Sequence, residues 1–89
     1  MTQDESLERL RAAKTAHEAD LMRRANVVGV GIGLRRRGGE LTSERAIVVS
    51  VVQKMPLSQL APGDVIPREL DGMPVDVQPV GELRAFHTL

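Results

Sequence analysis

The sequence predicts an α+β fold: a long N-terminal helix packed on a small, mostly antiparallel three-stranded sheet. Three observations carry that expectation. The first stretch holds good helix formers and neither glycine nor proline until Gly29. It gives way to strict alternation, with Val28, Val30, Ile32 and Leu34 set against Gly29, Gly31 and Gly33. Four of the five prolines then fall between Lys54 and Pro74, which rules out a long helix or a central strand there.

The helix is expected over residues 2–25. Thr2 and Glu5 have the spacing of a capping box, and Asp4 and Glu5 suit the positive end of the helix dipole. Leu7, Leu10, Lys14, His17, Leu21 and Ala25 form one stripe at three- and four-residue steps. Lys14 and His17 interrupt that stripe, and Ala12, Ala13, Ala16 and Ala19 let a neighbour approach closely. Such a helix belongs on a sheet edge or against another subunit rather than deep in a core.

The first strand is expected over residues 26–37. Val28, Val30, Ile32 and Leu34 share one face, and Val27, Gly29, Gly31, Gly33 and Arg35 share the other. Gly38-Gly39 supplies the positive φ angles of a hairpin turn. The second strand, 44–53, is apolar on both faces, with Ile47, Val49 and Val51 opposed to Ala46, Val48 and Val52. A strand of that kind is central or covered by a partner. A Pro-rich connection spans 54–72, with one helical turn over Leu57 to Leu60 and turns at "PGD" and "DG". The third strand, 73–80, alternates Met73, Val75 and Val77. It runs parallel to the second and is placed beside the first, for a strand order of 2-1-3. Residues 81–89 read as a loose tail, and residues 1–89 as a single small domain.

Composition narrows the function. With 12 basic and 12 acidic residues the chain lacks the positive excess of a dedicated nucleic-acid binder. There is no cysteine, so disulfides, thiolate metal sites and cysteine nucleophiles are excluded. Phe86 is the only aromatic residue, so the core is aliphatic. No apolar run is long enough to cross a membrane, and a cytoplasmic setting is expected.

Candidate sites are weak. "GVGIG" lacks the G-x-G-x-x-G spacing and the following helix of a dinucleotide loop, and the Gly-Lys-Ser/Thr ending of a phosphate loop. It reads as a strand with one flattened face. Arg35, Arg36 and Arg37 sit at a hairpin tip, where Glu40 and Glu44 balance them. His17 and His87 are too few for a zinc site. Ser43, Ser50 and Ser58 have no triad context. No cofactor, metal or catalytic residue is expected.

The phrases "NVVGVGIG", "AIVVSVVQKMPLSQL" and "DVIPRELDGMPVDVQPVGELRA" together resemble the N-terminal accessory domain of bacterial trypsin-like serine peptidases, over roughly residues 17 to 85. That resemblance implies an α+β module without catalytic residues, placed beside a peptidase or free of it. The function expected is therefore a non-catalytic interaction or self-assembly module. A regulator or recruitment factor (inhibitor or chaperone) acting in trans on a trypsin-like peptidase is the alternative, the resemblance implies such a peptidase as partner in cis or in trans, and a phosphate or nucleotide binder at the glycine strand is the least favoured. The residues themselves point to a homo-oligomer, since one small subunit leaves apolar surface uncovered. The expected contact residues are Gly29, Gly31, Gly33, Ala46, Val48 and Val52 on the strands, with Leu10, His17 and Leu21 on the helix.

Overall fold

In the computed structural model, which describes residues 3–81, the chain opens with α1, Gln3–Met22. Thr2 and the expected tail from residue 82 onward lie outside the described residues. The helix stops at Met22 rather than Ala25 because the chain tightens there. Arg23 and Arg24 donate to the carbonyls of Asp20 and Leu21, at 3.3 and 3.1 Å. Asn26 then takes a left-handed φ of 75°, a conformation asparagine tolerates better than most residues.

The remaining elements are β1 (Val27–Arg37), β2 (Glu40–Val51), two single 3-10 turns (Leu57–Gln59 and Pro62–Asp64), β3 (Glu69–Leu70) and β4 (Met73–Pro79). They form a four-stranded sheet of order β1-β2-β4-β3. Strands β1 and β2 form the expected hairpin, turning at Gly38 and Gly39 with φ of 58° and 85°. Strand β4 is the third strand expected from the sequence. It runs parallel to β2, as expected, but it also pairs with β2 and not with β1. The order 2-1-3 is therefore corrected. Strand β2 has apolar side chains to bury and takes a neighbour on both sides, which leaves the glycine-rich β1 at the edge. The additional strand, β3, is two residues long and shows no period in the sequence. It joins β4 through Asp71-Gly72, whose φ angles of 53° and 79° are those of a two-residue hairpin turn.

The core lies between α1 and one face of the sheet. Leu10, Ala13 and Leu21 of the helix meet Ile47, Val49 and Val51 of β2 and Val75 of β4. All of these are buried, so α1 lies on the sheet face and not merely along its edge. The inward stripe passes through Ala13 where the sequence placed Lys14; Lys14 stays half-buried and pairs with Glu18 one turn on. Val27 also packs on the core, although its parity set it with the glycines. The cause is a register shift between Val27 and Gly29, which inserts Val28 as an extra residue and turns Val27 over.

The Pro-rich connection is tied to the end of α1. Ala25 N–H donates to Asp64 Oδ1 at 2.9 Å, and Arg24 Nη1 donates to the Val65 carbonyl. Ile66, Leu70 and Met73 then close the core from that side.

Truncating Leu21 to alanine empties a fully buried site. It should cost about 2–5 kcal/mol in urea unfolding. A pH dependence follows from Asp20. A hydrogen bond from Arg24, then the charge of that guanidinium, hold the Asp20 carboxyl below its ordinary range. A depressed acid stabilises the fold above its unfolded pKa and loses that contribution as pH falls through its folded one. Wild type should therefore melt above Asp20→Asn at neutral pH, and the gap should close as pH falls below about 3.9.

Candidate functional site

Helix α1 covers one face of the sheet, and among the described residues no element covers the other. Register builds the open face in transverse rows. Gly31 of β1 sits beside Val48 of β2, which sits beside Asp76 of β4; Gly29, Ser50 and Gln78 form the next row. The missing side chains on β1 leave a shallow depression of about 450 Å³, bordered by Val48, Leu41 and Gln78.

The three glycines play different parts. A Cβ at Gly33 would come within 3.1 Å of Val48 Cγ2, so only glycine fits there without movement of the valine. At Gly29 the nearest atom would be Ser50 Cβ at 3.6 Å, an ordinary contact. At Gly31 nothing lies within 4 Å, so its bareness serves no contact among the described residues.

The polar groups of the face satisfy one another. Asp76 Oδ2 accepts from the Arg36 N–H and from Gln78 Nε2, both at 2.9 Å. Gln78 Nε2 also donates to the Leu34 carbonyl at 3.0 Å. Side chains of β4 thus reach across β2 to the stretch of β1 between Leu34 and Arg36, where the register slips again. At the hairpin tip, Glu44 takes both Arg35, at 3.0 Å, and Arg37, at 3.6 Å.

A second hollow, about 180 Å³, lies at the carboxyl ends of the parallel pair β2 and β4, floored by Val51, Met55, Ile66 and Val77. Ligand pockets for drug-sized molecules run from about 300 Å³ upward, so this one is small. Its polar rim is also committed: the Asn26 carboxamide donates to the Gln53 carbonyl and accepts the Gln53 N–H.

The expected contact residues divide into separate groups. Gly29, Gly31, Gly33 and Val48 line the open face. Ala46 has the same parity but is fully buried, at the end where Asp76 and Gln78 reach over β2. Val52 lies past the end of β2, its N–H on the Asn26 carbonyl and its carbonyl on the Gly81 N–H. Leu10 and Leu21 are core residues, out of a partner's reach. His17 is half-buried, with Nε2 at 3.1 Å from Asp71 Oδ2 across the helix–sheet junction. Among the described residues no cluster of three or more His, Asp or Glu is placed to hold a metal ion. Among the described residues no helix is long and apolar enough to cross a membrane. Sequence reasoning missed Asp76, Gln78 and Leu41. The alternation around Val75 and Val77 marks Asp76 and Gln78 as facing away from the core; their reach to β1 depends on the β2–β4 pairing.

The family model of the NARROW LEAF 1 N-terminal domain matches residues 2–79. No curated protein matches the chain. The family match replaces the resemblance to the accessory domain of bacterial trypsin-like peptidases. The function built on that resemblance, as a companion or regulator of such a peptidase, is withdrawn with it.

The unequal glycines give a direct check. Gly31→Ala should leave stability unchanged or raise it by up to about 1 kcal/mol, since it restricts the unfolded chain and meets no atom. Gly33→Ala should be the less stable of the two in urea unfolding, because Val48 must move.

Proposed function

The chain belongs to the NARROW LEAF 1 N-terminal domain family, and from that premise we propose that it is a non-catalytic domain that assembles with a second copy of itself through the open face of its sheet. The observation that carries the reading is the pairing on that face of a bare glycine row with an apolar ridge at Val48. Two copies related by a two-fold axis present the same surface to each other. Val48 of one then settles over the glycine floor of the other, with Leu41, 60% exposed, at the rim.

The polar side chains Asp76 and Gln78 of the face are hydrogen-bonded within the chain, which suits an apolar contact. The carboxylate, Asp76, already accepts two hydrogen bonds from its own chain. Both donors are neutral, so Asp76 keeps its charge, and in a two-fold contact the two Asp76 carboxylates oppose association to an extent that salt screens. The non-catalytic part of the proposal rests on the chemistry at hand: His17 is engaged with Asp71 rather than with a hydroxyl nucleophile. We place the domain in the cytoplasm, a setting that suits a chain without cysteine.

Light scattering after gel filtration should give a dimer or higher assembly at tens of micromolar protein. Val48→Glu and Leu41→Asp should each shift it to monomer with unchanged circular dichroism. A wild-type monomer at those concentrations overturns the proposal, as does an assembly that both substitutions leave intact.

A further inference from the structure

A second surface lies along the outer edge of β1. Strand β1 ends the sheet, and no described strand pairs with its outer side. Exposed edges are normally guarded by charge, proline or a covering element, because their free N–H and C=O groups recruit other strands. From Val28 to Leu34 β1 carries neither a charged residue nor a proline. Its guard begins only at Arg35.

Helix α1 turns this edge into a groove. One flank of α1 faces β3 and β4, through the His17–Asp71 contact and the approach of Arg9 to Gly72. The other flank rises beside β1. There Arg11, Lys14 and Thr15 border a hollow of about 360 Å³ against Ile32. It adjoins a second hollow of about 260 Å³ bordered by Leu7, Leu34 and Arg45, again with Ile32 in its wall. The lining is therefore an aliphatic floor of Leu7, Ile32 and Leu34 with basic groups above it. No carboxylate lines either part. Lys14 is neutralised by Glu18. Arg11 and Arg45 have no ion-pair partner among the described residues.

We propose that this groove binds an extended, acidic segment of a partner protein, which joins the sheet as a further strand on β1. Main-chain hydrogen bonds to the free edge supply affinity, and alternate side chains supply specificity. On the added strand, residues of one parity face α1, where carboxylates meet Arg11 and Arg45. Residues of the other parity lie beside the glycine side of β1, where apolar side chains find room. A second copy of this chain fits the groove poorly. Pairing β1 with its own copy brings the basic flank of each helix toward the other, with Arg11 set against like charge. Single-stranded nucleic acid is disfavoured by the lack of stacking surfaces, since the described residues include no Phe, Tyr or Trp. The edge is distinct from the open face, so this proposal and the self-assembly one stand or fall separately.

The probe is a short fluorescein-labelled peptide alternating valine and glutamate, titrated with the full chain at low salt. A peptide alternating valine and lysine serves as control, and a second control carries proline at the centre of the acidic sequence. The acidic peptide should bind, protect the β1 amides from Val28 to Leu34 against hydrogen exchange, and weaken steeply with salt. Neither control should bind. Arg11→Glu with Arg45→Glu should lower affinity by about tenfold or more with an unchanged melting temperature. The proposal fails if the acidic peptide does not bind at millimolar concentration, if the lysine peptide binds as well, or if the double variant binds like wild type. It also fails if an oligothymidine binds more tightly than the peptide.

Discussion

Between Ala46 and Val51 strand β2 carries one hydroxyl and otherwise only apolar side chains. The rest of the chain is arranged around burying it. Burial of aliphatic surface is the main driving term available to a chain with a single aromatic residue. Strand β1 flanks β2 on one side and β4 on the other. Helix α1 closes the face that carries Ile47, Val49 and Val51. The parallel pairing of β2 with β4 demands a crossover, and the Pro-rich connection provides it without a helix of regular length. That connection is held by Arg24 and Asp64, so the end of α1 and the return of the chain to the sheet are a single tied junction.

The same constraint explains what is left over. One helix covers one face of a sheet. Among the described residues the second face is closed only at its end, near Ala46, by the Asp76 and Gln78 bonds to β1. Elsewhere it presents a glycine floor and the Val48 ridge. The edge position of β1 has the same origin, since β2 can hold only two neighbours. Open face and open edge are thus two consequences of one demand, and they differ in chemistry. The face is a glycine floor with an apolar ridge, which suits a like copy; the edge groove is basic and aliphatic, which favours an acidic strand.

Much of this architecture is legible in the sequence. Alternation located β1, the Gly38-Gly39 turn and β4, and the two-sided apolar pattern of β2 already indicated a central strand. Giving that pattern priority over chain order would have placed β4 beside β2. Other features were out of reach for physical reasons. A register shift at Val28 turns Val27 over, and parity alone does not contain it. The two residues of β3 are too short to carry a period. Ala13 supplants Lys14 in the helix stripe because the true inward direction is fixed by the sheet beneath it. For the site, the glycines and Val48 could be placed on one face from alternation. The loss of Leu10, Leu21 and Ala46 to the interior, and the role of Asp76 and Gln78, required the tertiary pairing.

The central claim is that two copies meet on the glycine-flattened face. A chain without native cysteine permits a clean measurement, because a single introduced thiol reports only its own position. On mild oxidation, an equimolar mixture of Val48→Cys and Gly31→Cys chains should form a mixed disulfide-linked dimer rapidly and nearly completely, since the two-fold interface seats Val48 of one copy over the glycine row of the other. Lys54→Cys, exposed and beyond the end of β2, should form little under the same conditions. Equal cross-linking of the mixture and of Lys54→Cys, or none in the mixture, contradicts the account.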